Sequence, residues 1–126
     1  MPIRYETGPD DIILSTWEGE VSADELATHW RVLLSDPDAL RLRRSIADLR
    51  RATLRFTGEE LRGLVNAIVV PMLAGRRWRT ALVTASDENF GVSRQYQVFA
   101  SYYSQDAIFR DLESARRWLL EAPVDD

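Results

Sequence analysis

The sequence predicts an α/β domain built on a mixed, mostly parallel sheet, and three features carry that expectation. Strand-length apolar runs alternate with amphipathic helical stretches, in the order β-β-α-β-α-β-α-β-α over residues 1–126. Two capping boxes mark places where helices begin. The first two strands are separated by a five-residue turn, too short for a crossover, so they read as an antiparallel hairpin at one edge.

Ile3 to Glu6 is the first strand, and Thr7-Gly8-Pro9-Asp10-Asp11 is a cluster of turn formers. Ile12 to Trp17 is rich in β-branched and aromatic residues and returns as the second strand, which Gly19 closes. Ser22-Ala23-Asp24-Glu25 is the first capping box. Behind it Ala23, Leu26, Ala27, Trp30, Leu33 and Leu34 recur at helical spacing, and Asp36-Pro37-Asp38 stops the helix. Ser45 to Leu49 is a short apolar run bounded by arginines, as in a buried parallel strand.

Thr57-Gly58-Glu59-Glu60 is the second capping box, followed by Leu61, Leu64, Val65, Ile68, Val69 and Met72 on one helical face. Pro71 should kink or end this helix because it lacks the N–H needed there, and Gly75 suits its C-terminal cap. Thr80 to Ala85 is the next strand. Ser86-Asp87-Glu88-Asn89 then caps a helix carrying Val92, Tyr96, Phe99, Ala100 and Tyr103. Asp106 to Phe109 is the last strand. Asp111 caps a final helix that turns Leu112, Ala115, Trp118 and Leu119 inward and ends at Pro123. Without repeats, low-complexity tracts or linkers, the expectation is one domain.

Composition removes whole classes of chemistry. The chain has no Cys, one His (His29), and 16 basic residues that are all Arg. A disulfide framework, a cysteine zinc site and a thiol nucleophile are excluded. So are a Walker P-loop and a Schiff-base enzyme, which need Lys. The net charge of −4 argues against general affinity for nucleic acid or anionic membranes. No apolar run reaches the roughly 20 residues needed to span a bilayer. The opening Met-Pro-Ile-Arg-Tyr-Glu lacks the apolar stretch of a secretory leader, so a cytoplasmic location is expected.

Four segments carry a likeness to a known group. They are Gly19-Glu20-Val21-Ser22-Ala23-Asp24-Glu25-Leu26, Asp48-Leu49-Arg50, Phe90-Gly91-Val92-Ser93-Arg94-Gln95-Tyr96, and the closing run from Phe109 to Leu119. Together they resemble the SpoIIAA-like group of small bacterial proteins, which share the STAS-type fold. The resemblance spans nearly the whole chain. It implies a small STAS-like α/β domain, frequently a homodimer, with no catalytic residues to carry over. One departure stands out. Anti-sigma-factor antagonists of the STAS type carry a phosphorylated serine in Asp-Ser-Ser-Gly, whereas the matching stretch here reads Leu54-Arg55-Phe56-Thr57-Gly58-Glu59. Only Thr57 offers a hydroxyl, and a helix-capping threonine already spends it on the backbone.

Ligands of open α/β sheets bind beyond the carboxyl ends of the strands, where helix N-termini gather. That places Asp48, Arg50, Thr57, Ser86, Asp87, Asn89 and Arg94 as a candidate site for a small anion or a phosphorylated partner. The competing reading is that these residues cap helices and pair with one another.

Residues 41–62 hold seven arginines against three acids, and Arg76, Arg77 and Arg79 bracket Trp78. Such a cluster could clamp a nucleic-acid strand, but a solvated loop and a strand start with an aromatic packing inward is the plainer reading, and no nucleic-acid partner is expected. His29 sits at the edge of a buried stripe, and a lone His builds no metal site. Asp10-Asp11 and Glu59-Glu60 occupy a turn and a helix's first turn, where acids are favoured structurally. Trp78, Tyr102, Tyr103 and Val70 are left over once the core is counted, which suggests a self-association surface.

The function expected is therefore a non-enzymatic, cytoplasmic STAS-like interaction domain, regulatory through a protein partner or a second copy of itself, without cofactor or metal. The alternative is a carrier or sensor of a small apolar or anionic molecule. Its support is the helix from Leu61 to Met72, apolar over more than one face through Ala67, Val69 and Val70.

Overall fold

The computed structural model describes residues 2–121. The elements run β1 (Ile3–Thr7), β2 (Ile13–Ser22), α1 (Ala23–Leu33), α2 (Pro37–Leu42), β3 (Arg44–Arg55), α3 (Gly58–Leu64), a π-helical turn (Val65–Val69), α4 (Val70–Leu73), β4 (Trp78–Val83), α5 (Asp87–Phe99), β5 (Ser104–Phe109) and α6 (Leu112–Glu121). The five strands form one sheet in the order β1-β2-β3-β4-β5. β1 and β2 are the antiparallel hairpin, and every later neighbour pairs in parallel. The α/β architecture is as the sequence predicts.

Helices cover both faces unequally. On one face α1, α3, the π turn, α4 and α5 bury a large core including Trp17, Val21, Leu26, Leu61, Val65 and Leu73. On the other, among the described residues, α6 lies over β3, β4 and β5, with Ala115 and Leu119 against Ile46, Ala81 and Val83. β4, covered from both sides, is buried along its whole length.

Several boundaries differ from expectation, each for a local reason. Asp36-Pro37-Asp38 does stop α1, but it also starts α2. Asp36 Oδ1 accepts the Asp38 N–H, and Pro37 occupies the first helical position, where its missing N–H costs nothing. Gly19 does not end β2. It sits inside the strand at φ +74°, directly after a register shift between Thr16 and Glu18, and the strand continues to Ser22. β3 likewise runs on past Leu49. Beyond the Asp48–Val83 pair it has lost β4, and Arg51 to Arg55 pair with β2 alone. In that extension Arg51, Thr53 and Arg55 are exposed while Ala52 and Leu54 are half-buried, the alternation of a strand with one covered face.

Pro71 does not end the helical run where it stands, which continues as α4 to Leu73. The π turn directly before it absorbs the defect, with the Val70 N–H reaching back five residues to the Val65 carbonyl. The left-handed cap begins at Ala74 (φ +50°) and is completed by Gly75 (φ +85°). β4 starts two residues earlier than predicted, at Trp78, and ends at Val83. β5 starts at Ser104. Tyr103, expected on α5, lies past its end in the loop to β5. Asp111 caps α6 by accepting the Ser114 N–H at 2.7 Å. The expected stop at Pro123 lies outside the described residues.

Candidate functional site

The residues predicted at the strand ends divide into separate clusters. Asp48 and Arg50 form a two-pronged ion pair at 2.9 and 3.0 Å. By strand alternation they share a face with Ile46, the face covered by α6. Burial would raise the Asp48 carboxyl, but the hydrogen bonds and charge of Arg50 outweigh it and hold the group below its usual value. Thr57 is fully engaged in its capping box. Its hydroxyl accepts the Glu60 N–H at 3.1 Å, and Glu60 accepts the Thr57 N–H at 2.9 Å. Beside it, Gly58 packs so closely on α5 that a Cβ would lie 2.9 Å from the Gln95 side-chain nitrogen.

Ser86 caps α5 by accepting the Asn89 N–H at 3.1 Å. Asn89 is buried and turns its amide onto β3, where it donates to the carbonyls of Leu49 and Ala52, both at 3.0 Å. Those carbonyls lie where β4 has already ended, so the side chain replaces the missing strand. Asp87 is exposed, 3.9 Å from Arg110. Arg94 is exposed and makes no hydrogen bond or ion pair to the other six among the described residues.

The aromatic candidates are rearranged. Trp78 is not left over. It is buried on the large-core face, and its indole N–H donates to Ser45 Oγ at 2.9 Å. Arg79 points to the opposite face, as alternation requires. Its guanidinium stacks 3.8 Å over the Trp118 ring and donates to the Trp118 carbonyl at 2.8 Å. The arginine clamp around Trp78 therefore does not form. Val70 is half-buried against the core, Tyr103 is half-buried, and Tyr102 is 83% exposed. His29 is not at the edge of the stripe but inside it, edge-on to the rings of Tyr5 and Trp17. Burial pushes its pKa down to about 4, so it is neutral near pH 7.

What sequence reading did not find lies between the sheet and the helices of the large core. A cavity of about 80 Å³ is lined by apolar side chains of α1, α3, the π turn and the sheet, among them Leu26, Leu49, Leu61, Val69 and Leu82. Polar side chains interrupt this wall, among them Ser15, His29, Ser45, Thr80, Ser93, Tyr96 and Ser104. Strand register explains part of the set, because Ser45, Thr80 and Asp106 are direct neighbours across β3, β4 and β5. Ser45 Oγ and Thr80 Oγ1 are 3.3 Å apart, and Thr80 neighbours Asp106 in the next strand. Ser104 donates to Asp106 Oδ1 at 2.6 Å. Ser15 accepts the Trp17 indole N–H at 3.0 Å and donates to the Ile46 carbonyl.

Asp106 lies on the edge strand, yet its carboxyl is buried, and its Oδ2 has no partner. Burial raises its pKa to about 7, against the opposing influence of the Ser104 and Thr80 hydroxyls. Burial likewise raises the Tyr96 phenol, and the nearby Asp106 charge adds to it. Ser93, on α5 one turn before Tyr96, has a buried hydroxyl with no partner. The signal for this row was present in the sequence as serines and a threonine at inward strand positions. The same residue types also suit strand ends, so the sequence alone does not distinguish the row.

No helix among the described residues is long and apolar enough to cross a membrane, and no cluster of His, Asp and Glu there could hold a metal ion. No family model matches the chain, and no curated protein matches it. Among solved structures, the chain is similar to an uncharacterized protein of the DUF3478 family with a SpoIIAA-like fold, from Shewanella loihica. The two superpose with a TM-score of 0.58 at 16% sequence identity, over 93% of this chain and 91% of that one. At that identity the likeness speaks to architecture alone. Strand order, parallel pairing and this superposition agree that the chain has a SpoIIAA-like, STAS-type fold.

Proposed function

We propose that the protein is a non-enzymatic STAS-like binding domain that carries or senses a small, largely apolar molecule in the cavity between its sheet and its larger helical layer. One observation carries this reading. The cavity is walled largely by buried side chains, yet it keeps on its surface one buried hydroxyl, that of Ser93, which no neighbouring group hydrogen bonds. Interiors are normally packed without such space. The strand-end residues are weaker candidates, because Asp48 with Arg50, Thr57 with Glu60, and Asn89 with β3 each spend their polar groups on the fold.

Native mass spectrometry of gently purified protein, followed by a thermal-shift screen of small neutral and anionic molecules, tests this. The expected result is a non-protein mass or a stabilising compound whose effect disappears in Ala47→Leu, which fills the cavity wall. Absence of both, with Ala47→Leu as stable as the parent, overturns the reading.

A second reading is that the domain acts through a protein partner or as a homodimer. Val98 at 71% exposure and Tyr102 at 83% favour it, since they leave apolar surface at the end of α5. Sedimentation equilibrium of the parent and of Val98→Glu tests it. A dimer that the substitution dissociates supports it, and a monomer at every concentration overturns self-association.

A further inference from the structure

The polar group in the cavity wall that the fold leaves idle is the Ser93 hydroxyl. It is 1% exposed, lines the cavity and has no hydrogen-bond partner. A helical serine can ordinarily turn back to the carbonyl one turn earlier, and this one does not. Buried hydroxyls without partners are rare because the lost hydration is not replaced. His29 adds a second unused polar surface. Its ring has aromatic neighbours, but its nitrogens make no hydrogen bond among the described residues.

The walls carry no compensating charge. Among the described residues, no Arg, Asp or Glu lines the cavity. An ion brought there would be stripped of water without gaining a counter-ion, which disfavours anions and cations alike. His29 experiences the same penalty, since burial holds it neutral. Size restricts the occupant further. A dry cavity of roughly 150 Å³ holds benzene, so about 80 Å³ suits a molecule of a few heavy atoms.

We propose that the cavity takes a small neutral molecule with a compact apolar body and one hydroxyl or carbonyl head, seated with that head on the Ser93 hydroxyl. This rests on the reading of the cavity as the binding site. Ser93 both donates and accepts, so it can satisfy either head. The apolar body lies against the leucine and valine side chains.

The test uses the full chain and four probes: xenon, propan-2-ol, acetate and isopropylammonium. The last three share one branched four-atom shape and differ in charge. Amide chemical-shift titrations of the parent and of Ser93→Ala read affinity and location together. Propan-2-ol should shift amides of α5 and of the facing strands, and its affinity should fall about fivefold in Ser93→Ala, as the loss of one hydrogen bond implies. Xenon should bind both forms equally, and neither ion should bind. Xenon binding with no loss of propan-2-ol affinity in Ser93→Ala overturns the assignment of the head group but leaves the cavity as a site. Preference for either ion overturns the neutral class. Failure of xenon and propan-2-ol together overturns the cavity reading itself.

Discussion

The Asn89 side-chain nitrogen donates to the Leu49 carbonyl at 3.0 Å, joining the first turn of α5 to the point where β3 outruns β4. The same nitrogen reaches the Ala52 carbonyl at the same distance. One amide thus finishes a sheet edge that no strand covers. Asn89→Ala leaves two carbonyls without this donor and should cost about 2–4 kcal/mol in urea denaturation. Asn89→Asp should cost more, because a carboxylate would face two carbonyls. Ser86→Ala, which removes only the cap, should cost about 1 kcal/mol. Equal stability of Asn89→Ala and the parent would show that the clamp is dispensable.

The capping box at Thr57 makes a second prediction. Both its groups are committed locally, the hydroxyl to the Glu60 N–H and the Glu60 carboxylate to the Thr57 N–H. Thr57→Ala should therefore lower stability by about 1 kcal/mol, and Thr57→Ser should restore it. A loss of stability in Thr57→Ser as large as in Thr57→Ala would assign the role to the methyl group instead.

Arg79 and Trp118 tie the two layers of the smaller core together. The guanidinium stacks on the indole at 3.8 Å and also donates to the Trp118 carbonyl, while burial lowers its pKa. A planar fork can do both at once, whereas an ammonium is a compact charge. Arg79→Lys should destabilise the fold by about 1–2 kcal/mol. The double-mutant cycle of Arg79→Lys with Trp118→Leu should show a coupling of about 1 kcal/mol. Additive losses would mean that the ring stacking contributes nothing of its own.

These sites also show how much the sequence could reveal. Elements were legible wherever one signal sufficed. The capping boxes at Ser22 and Thr57 and the Gly-Pro turn after Thr7 set the positions of helices and hairpin by local chemistry alone. The extension of β3 was written in alternation too, but Arg50, Arg51 and Arg55 masked it as a charged loop. α2 was hidden because Pro37 both ends one helix and opens another. The site was less legible, since it depends on long-range register. Nothing local says that Ser45, Thr80 and Asp106 become neighbours, or that Ser93 and His29 open onto one cavity. Likewise, Asn89 looked like a cap because its second role needs a strand about forty residues away.

Two of the perturbed groups near the cavity, Asp106 and His29, predict a pH profile with opposing halves. Asp106 has a folded pKa of about 7, raised above its ordinary value of 3.8, so it favours the fold when protonated. Its contribution is fully present below pH 4 and is lost as pH rises through 7. His29 has a folded pKa of about 4, lowered from 6.5, so it favours the fold when neutral. Its contribution is present above 6.5 and is lost as pH falls through 4. The two span roughly 4 and 3 kcal/mol respectively. Between pH 4 and 6.5 the two slopes have opposite sign, so the parent should show a nearly flat stability there. Asp106→Asn should expose the His29 slope, with stability rising by about 2–3 kcal/mol from pH 4 to 6.5. His29→Phe should expose the reverse, with stability falling over the same interval. Urea denaturation at half-unit pH steps measures all three curves. Because the comparison is of slopes, a general packing loss in either variant does not obscure it. Variant curves parallel to the parent's would mean that neither group titrates with these shifted values.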